Sequence, residues 1–225
     1  MPEEQVMFPE ILKDNGYYTA AAGKWHLGTY ARNAFDKIYG GGASGAEKWV
    51  DTLKERPKDK PFFMWLAAYD AHRGWDEKIE LKRHTPEEVV LPPYMVDTPE
   101  VRKDMARYYD EVQRLDRYTG YVVDELEEQG VLDNTIIIIM ADNGRPFVRA
   151  KIRLNDSGIK TPFVVHWPAG IEQSGKPCDS LVSVIDIAPT ILDLAGITSP
   201  STFQGVSFTR LLDSARFWPI FEAAA

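Results

Sequence analysis

Four short stretches of this chain set down residue types suited to chemistry on an anion. The first is Asp142-Asn143-Gly144, directly after the apolar run Ile136-Ile137-Ile138-Ile139-Met140-Ala141. A carboxylate beside an amide oxygen offers hard ligands for calcium or magnesium. The same tripeptide can also simply close a strand as an Asx turn. The second is Lys24 and His26. In extended chain they share one face, with Trp25 and Leu27 on the other. A cation and an imidazole on one face suit an anionic ligand, and equally suit a solvated turn beside a core tryptophan. The third is His72 in Asp70-Ala71-His72-Arg73, after an apolar run, with Arg73 as a second positive group; a structural histidine reads the same way. The fourth is Lys151, closing Arg145-Pro146-Phe147-Val148-Arg149-Ala150-Lys151. A loop so dense in cations can hold an anion or be solvated. His166, beside Trp167, reads as structural, and His84 is assigned no role.

The elements that must position these residues alternate between helix and strand. Residues 9–15 read as a short helix stopped by Gly16, and 17–22 as a strand leading to Lys24. Gly40-Gly41-Gly42 is a turn and 46–54 is helical. Residues 61–69 form a continuous apolar run, hence a buried strand, and 73–97 a long polar surface loop. Thr98-Pro99-Glu100 supplies an N-cap, a proline at the first helical position and an acid in the first turn. The helix it opens runs to Gln129 and ends at Gly130, with Val101, Met105, Tyr108, Val112, Leu115, Val122 and Leu126 on one core-facing stripe. Residues 135–141 are the clearest strand, 161–167 another, and 186–194 a helix ended by Gly196. This pattern predicts one α/β domain spanning 1–225, with a mainly parallel sheet flanked by helices on both faces. Ligands of such sheets sit beyond the carboxyl ends of the strands.

Composition narrows the class. The chain has 225 residues, 44% of them hydrophobic, enough for a real core. A net charge of -8 argues against a nucleic-acid partner. The single Cys178 excludes an intrachain disulfide framework and a cysteine-rich zinc site. Met1 to Gln5 shows neither a basic start nor an apolar signal segment, and no apolar run has the length of a membrane helix.

Taken together, the motifs resemble one family. Gly16-Tyr17-Tyr18-Thr19-Ala20-Ala21-Ala22-Gly23-Lys24-Trp25-His26-Leu27-Gly28 is similar to the second signature of the type I sulfatases. Ala141-Asp142-Asn143-Gly144, Asp156-Ser157-Gly158-Ile159-Lys160-Thr161-Pro162 and Asp186-Ile187-Ala188-Pro189-Thr190-Ile191-Leu192-Asp193-Leu194-Ala195-Gly196 look like its later landmarks, in order. The resemblance covers residues 8–212. It implies an alkaline-phosphatase-like fold and hydrolysis of sulfate esters, including those of sulfated carbohydrates. It implies that Asp142 and Asn143 are calcium ligands and that Lys24 and His26 are the pair beside the nucleophile. It implies further that His72 faces the sulfate and leaving group, and that Lys151 binds a sulfate oxygen. Members act in periplasmic, secreted or lysosomal settings.

Two family features are missing from this sequence. The formylglycine nucleophile is made in a Cys/Ser-x-Pro-x-Arg motif, which occurs nowhere here, and no Asp-Asp pair supplies the family's other metal ligands. Both normally precede the Lys-Trp-His segment. The expectation is therefore a central fragment of a sulfatase, incomplete at both ends and inactive alone. The alternatives are a protein that binds sulfated ligands without turnover and a phosphoesterase relative of the same fold.

Overall fold

The structure is a computed structural model, and it describes residues 6–171 and 175–212. The chain forms two compact units. One comprises the chain up to Gln129 together with Ile139–Val164; the other comprises Gly130–Ile138 together with the chain from Val165 onward.

The first unit opens with helix α1 (Phe8–Asp14), which carries a proline in its first turn. Gly16 follows at φ +88, a left-handed position that suits glycine. Strand β1 (Tyr18–Gly23) then lies between β2 (Lys37–Tyr39) and β3 (Phe62–Ala67), parallel to both. Its position in the sheet explains its residues. Thr19, Ala20, Ala21 and Ala22 are buried, and small side chains let helices and loops close over a central strand. Thr19 satisfies its hydroxyl by donating to Ala34 O at 3.0 Å. Phe35 and Ala34 pack on Ala21, with Trp25, Ile38 and Phe63 around them. The short helix α2 (Trp49–Glu55) buries Trp49, Thr52 and Leu53.

Helix α3 (Pro99–Glu128) starts and stops where its sequence says. The Thr98 side chain accepts from Val101 N at 3.3 Å, and Gly130 leaves the helix at φ +67. Removing that cap by Thr98→Ala is expected to cost about 1 kcal/mol, measured as a shift of the urea midpoint with an unchanged slope. The core stripe is only partly as expected. Met105, Val122 and Leu126 are buried, but Val112 is exposed, while Asp110, Glu111 and Glu125 are buried in its stead. Each of these acids has partners from elsewhere in the chain, which is what makes burial tolerable.

The segment 73–97 has no helix or strand, yet it is more than a polar surface loop. Ile79 and Val89 are buried, and Val89, Leu91 and Met95 pack with Met105 and Ala106 of α3. Arg102 fastens it by donating to Pro86 O and Val89 O.

Strand β4 (Ile137–Met140) pairs with β5 (Phe163–His166) in a second sheet, and α4 (Asp156–Ile159) lies between them in sequence. The apolar runs predicted these strands as buried. Instead Trp65 of β3, Ile139 and Met140 of β4 and Val164 of β5 are exposed. The reason is cover: α1 and α2 pack on β1, and among the described residues no helix packs as extensively on β3, β4 or β5, so side chains on their faces stay open.

In the second unit, α5 (Ile187–Leu194) ends at Ala195, with Gly196 at φ +70, and a short α6 (Thr209–Leu212) follows. Asp186 accepts from Ser183 N and Val206 N, and the Thr190 hydroxyl accepts from Phe208 N. The landmark 186–196 is thus a structural clasp on residues 206–208. Among the described residues no helix is long and apolar enough to cross a membrane.

Candidate functional site

Because β1 and β3 are parallel, their carboxyl ends open on the same edge. Lys24 follows β1, and its backbone N–H donates to Ala67 O, the last residue of β3, at 2.8 Å. The approach is close enough to demand Gly23: a Cβ there would lie 2.1 Å from Ala67 O, at φ +97. Trp25 packs edge-on to Phe35 at 5.8 Å, as the alternation argument requires. Leu27 does not follow it inward and is exposed. The chain turns there: Trp25 Nε1 donates to Gly28 O at 2.8 Å and Gly28 has φ +77, so strict alternation ends. His26 is exposed and Lys24 half-buried.

His72 leaves the same edge, at the end of β3. Its N–H donates to Tyr69 O at 2.8 Å, and its Nδ1 lies 2.9 Å from Arg73 O. A carbonyl only accepts, so Nδ1 carries the proton and Nε2 is the atom that can take up and give back another. Arg73 is not the free second cation that the sequence suggested. It pairs with Asp104 of α3, and its Nε donates to Pro146 O at 2.8 Å. Its guanidinium lies over Phe147 and Trp75 at 4.9 and 5.3 Å. Trp75, Tyr108 and Phe147 close an aromatic triangle with centroids 5.6–6.1 Å apart. The loop of His72 and the loop after Asn143 are therefore joined through α3. No signal in the sequence marked Asp104 or Tyr108 for this task.

Asp142 and Asn143 follow β4; Asp142 is exposed and Asn143 half-buried. The Asn143 amide nitrogen donates to Gly144 O at 2.9 Å, so its oxygen is the atom of that side chain able to ligate a cation. Gly144 does more than close the turn after β4. Its N–H donates to Gly158 O at 2.9 Å, and a Cβ would meet Ser157 O at 1.9 Å. The landmark 156–162 thus seats against 142–144. Lys151 is half-buried, with its N–H on Arg145 O at 3.1 Å. Arg149 and Ile152, on either side of the Ala150–Lys151 pair, take left-handed φ of 60 and 62, and Ala150 is fully buried. Non-glycine residues hold such angles only where the surroundings enforce them. Ser157 and Asn155 both donate to Arg149 O, and Arg145 donates to Tyr94 OH at 2.8 Å. His84 lies elsewhere, 2.9 Å from the buried Asp110, and His166 is exposed in β5.

Asp142 and Asn143 fit a hard cation by donor type, but two oxygens are fewer than the six to eight that calcium takes. Among the described residues no three His, Cys, Asp or Glu side chains converge as a metal cage.

Comparison with known proteins finds sulfatases. A human N-sulphoglucosamine sulphohydrolase is 28% identical across 96% of this chain and 49% of its own length. An ulvan-active sulfatase of Formosa agariphila is 36% identical over 119 residues, 52% of this chain and 20% of its own. A solved structure in complex with its substrate D-glucosamine-2-N,6-O-disulfate superposes with TM-score 0.72 at 21% identity, covering 95% of this chain and 65% of the other. The chain spans about half the length of the first of these relatives. The sulfatase family model matches residues 42–197. With the α/β architecture of the alkaline-phosphatase-like sulfatases and a family match over more than half its length, the chain belongs to the sulfatase family.

Proposed function

We propose that this chain forms the sulfate-binding and leaving-group side of a sulfatase acting on sulfated saccharides. The observation that carries the reading is the Arg73–Pro146 hydrogen bond, which ties the His72 loop to the loop between Asn143 and Lys151. In this reading Lys24 and Lys151 hold sulfuryl oxygens, since fixed cations stabilise charge that develops there. His26 stands with Lys24 beside the nucleophile's position. His72 gives a proton from Nε2 to the departing alcohol. The saccharide class follows from the amino sugars named for the human relative and for the solved complex.

A calcium-type ion would be held by Asp142 and Asn143, and when bound it would add positive charge beside the sulfuryl oxygens. With two side-chain donors, this chain alone is expected to bind calcium with a dissociation constant on the order of millimolar. Calorimetry returning a value below about a micromolar would show that further ligands exist.

The direct test uses the 225-residue chain with D-glucosamine 6-sulfate as probe. Binding is expected, and Lys24→Ala with His72→Ala should weaken it at least tenfold, about 1.4 kcal/mol. Equal affinity in parent and double variant would remove the site. The sequence carries no Cys/Ser-x-Pro-x-Arg, so the chain on its own is expected not to turn over 4-nitrophenyl sulfate. Multiple turnovers above the same double variant would overturn that expectation.

A further inference from the structure

His72 sits in a seven-residue loop whose two ends are clipped by a single side chain of α3. Arg114 donates to Asp70 through Nε at 2.9 Å and Nη2 at 2.6 Å, and to Asp76 through Nη1. Asp70 is also fixed from the other side by the Ser44 hydroxyl at 2.6 Å. Asp76 offers its own N–H to Glu111 at 2.8 Å. The Asp70 side chain is 1% exposed, Arg114 11% and Asp76 20%, so the Asp70 end is buried and the Asp76 end is largely covered. A planar guanidinium binding two carboxylates fixes direction as well as distance, which a lysine ammonium cannot do.

Between the clipped ends, each link of the loop points toward His72. Its N–H is held by Tyr69 O, its Nδ1 proton by Arg73 O, and Arg73 in turn by Asp104 and Pro146. If Asp70 and Asp76 move apart, Arg73 O changes direction and the Nδ1 hydrogen bond goes with it. The imidazole would then lose its fixed tautomer.

We infer that Arg114 is a positioning residue for His72, holding Asp70 and Asp76 so that the loop presents the imidazole in one tautomer and one direction. This rests on the reading of His72 as the group that faces the sulfate. No carbon or sulfur of the substrate need touch Arg114, so the residue acts through the loop.

The test is NMR of the full chain without ligand. Only four histidines contribute, His26, His72, His84 and His166, so each imidazole can be assigned by substitution. In the parent, His72 should show the Nδ1–H tautomer at high pH. In Arg114→Lys and in Asp76→Asn, its nitrogen shifts should move toward the mixed pattern of a free imidazole. His84, held independently by Asp110, should keep its pattern in both variants. Two variants of different severity guard against loss of fold, and a cooperative melt establishes that each is folded. An unchanged His72 tautomer in either folded variant would overturn the inference, whatever the loss of stability. The assay contains no sulfate, so failure of the sulfate-binding reading would appear in the D-glucosamine 6-sulfate binding test and not here.

Discussion

Gly144→Ala is expected to destabilise the chain by about 3 kcal/mol, the upper end of what overpacking costs. The added Cβ would lie 1.9 Å from Ser157 O and 2.8 Å from Gly158 Cα, both backbone atoms. A side-chain tip can swing aside; a peptide group inside a hydrogen-bonded crossing cannot. Nor can Gly158 retreat, because it is itself hemmed in by Arg153 O and Ala150 O, 2.2 and 2.4 Å from where its own Cβ would sit. The clash therefore has to open the Gly144–Gly158 hydrogen bond. That moves Asp142 and Asn143 on one side of the crossing and Lys151 on the other. Urea denaturation measures the loss, and calcium affinity should fall with it. Gly120→Ala is the matched control. That glycine sits inside α3 with nothing within 4 Å of a built Cβ, so alanine should gain about 0.5–1 kcal/mol there. A Gly144→Ala midpoint equal to the parent's would mean that the two loops are not locked together.

Much of the fold was legible because its signals are local. Thr98, Pro99 and Gly130 mark both ends of α3 within a few residues, and Gly16 and Gly196 end their helices at positive φ. The parallel sheet follows from apolar strands alternating with helices. What was not legible depends on partners far away in sequence. A periodicity count sees only apolar residues, so it assigned Val112 to the core and passed over Glu111, whose partner is Asp76. Two adjacent basic residues, His72 and Arg73, look equivalent in sequence. Only Asp104, 31 residues on, shows that Arg73 is occupied in holding loops together. Gly144 read as a turn residue, yet what requires glycine is a backbone 13 residues away. The candidate site was legible by residue type. The scaffold that orients it was not, since Arg114 lies 44 residues from Asp70 and has no motif of its own.

The same scaffold makes stability depend on pH in a direction that can be worked out. Glu111 is 3% exposed, and burial pushes its carboxyl up to about 7 from an ordinary 4.5. The neighbouring charges of Asp70 and Asp76 act in the same direction; the Asp76 N–H and Arg114 act against it. One guanidinium faces three carboxylates, and it bonds directly to two of them, Asp70 and Asp76. Since the folded pKa lies above the unfolded one, the protonated form is what folding favours. The stabilisation is fully present below about 4.5 and is lost as pH rises through about 7. The gap of about 2.5 pH units corresponds to an upper limit of about 3 kcal/mol. Glu111→Gln keeps a carbonyl oxygen to accept from Asp76 N and removes the ionisation. At pH 4 the variant and parent should be about equally stable. At pH 8.5 the variant should be the more stable by about 2 kcal/mol, allowing for relaxation of the pocket. Subtracting one urea curve from the other at each pH cancels the titrating groups that the substitution leaves alone, so the difference reports on Glu111. A difference that stays flat from pH 4 to 8.5 would show that Glu111 is ionised throughout. The three-carboxylate pocket around Arg114 would then have to be balanced in some other way.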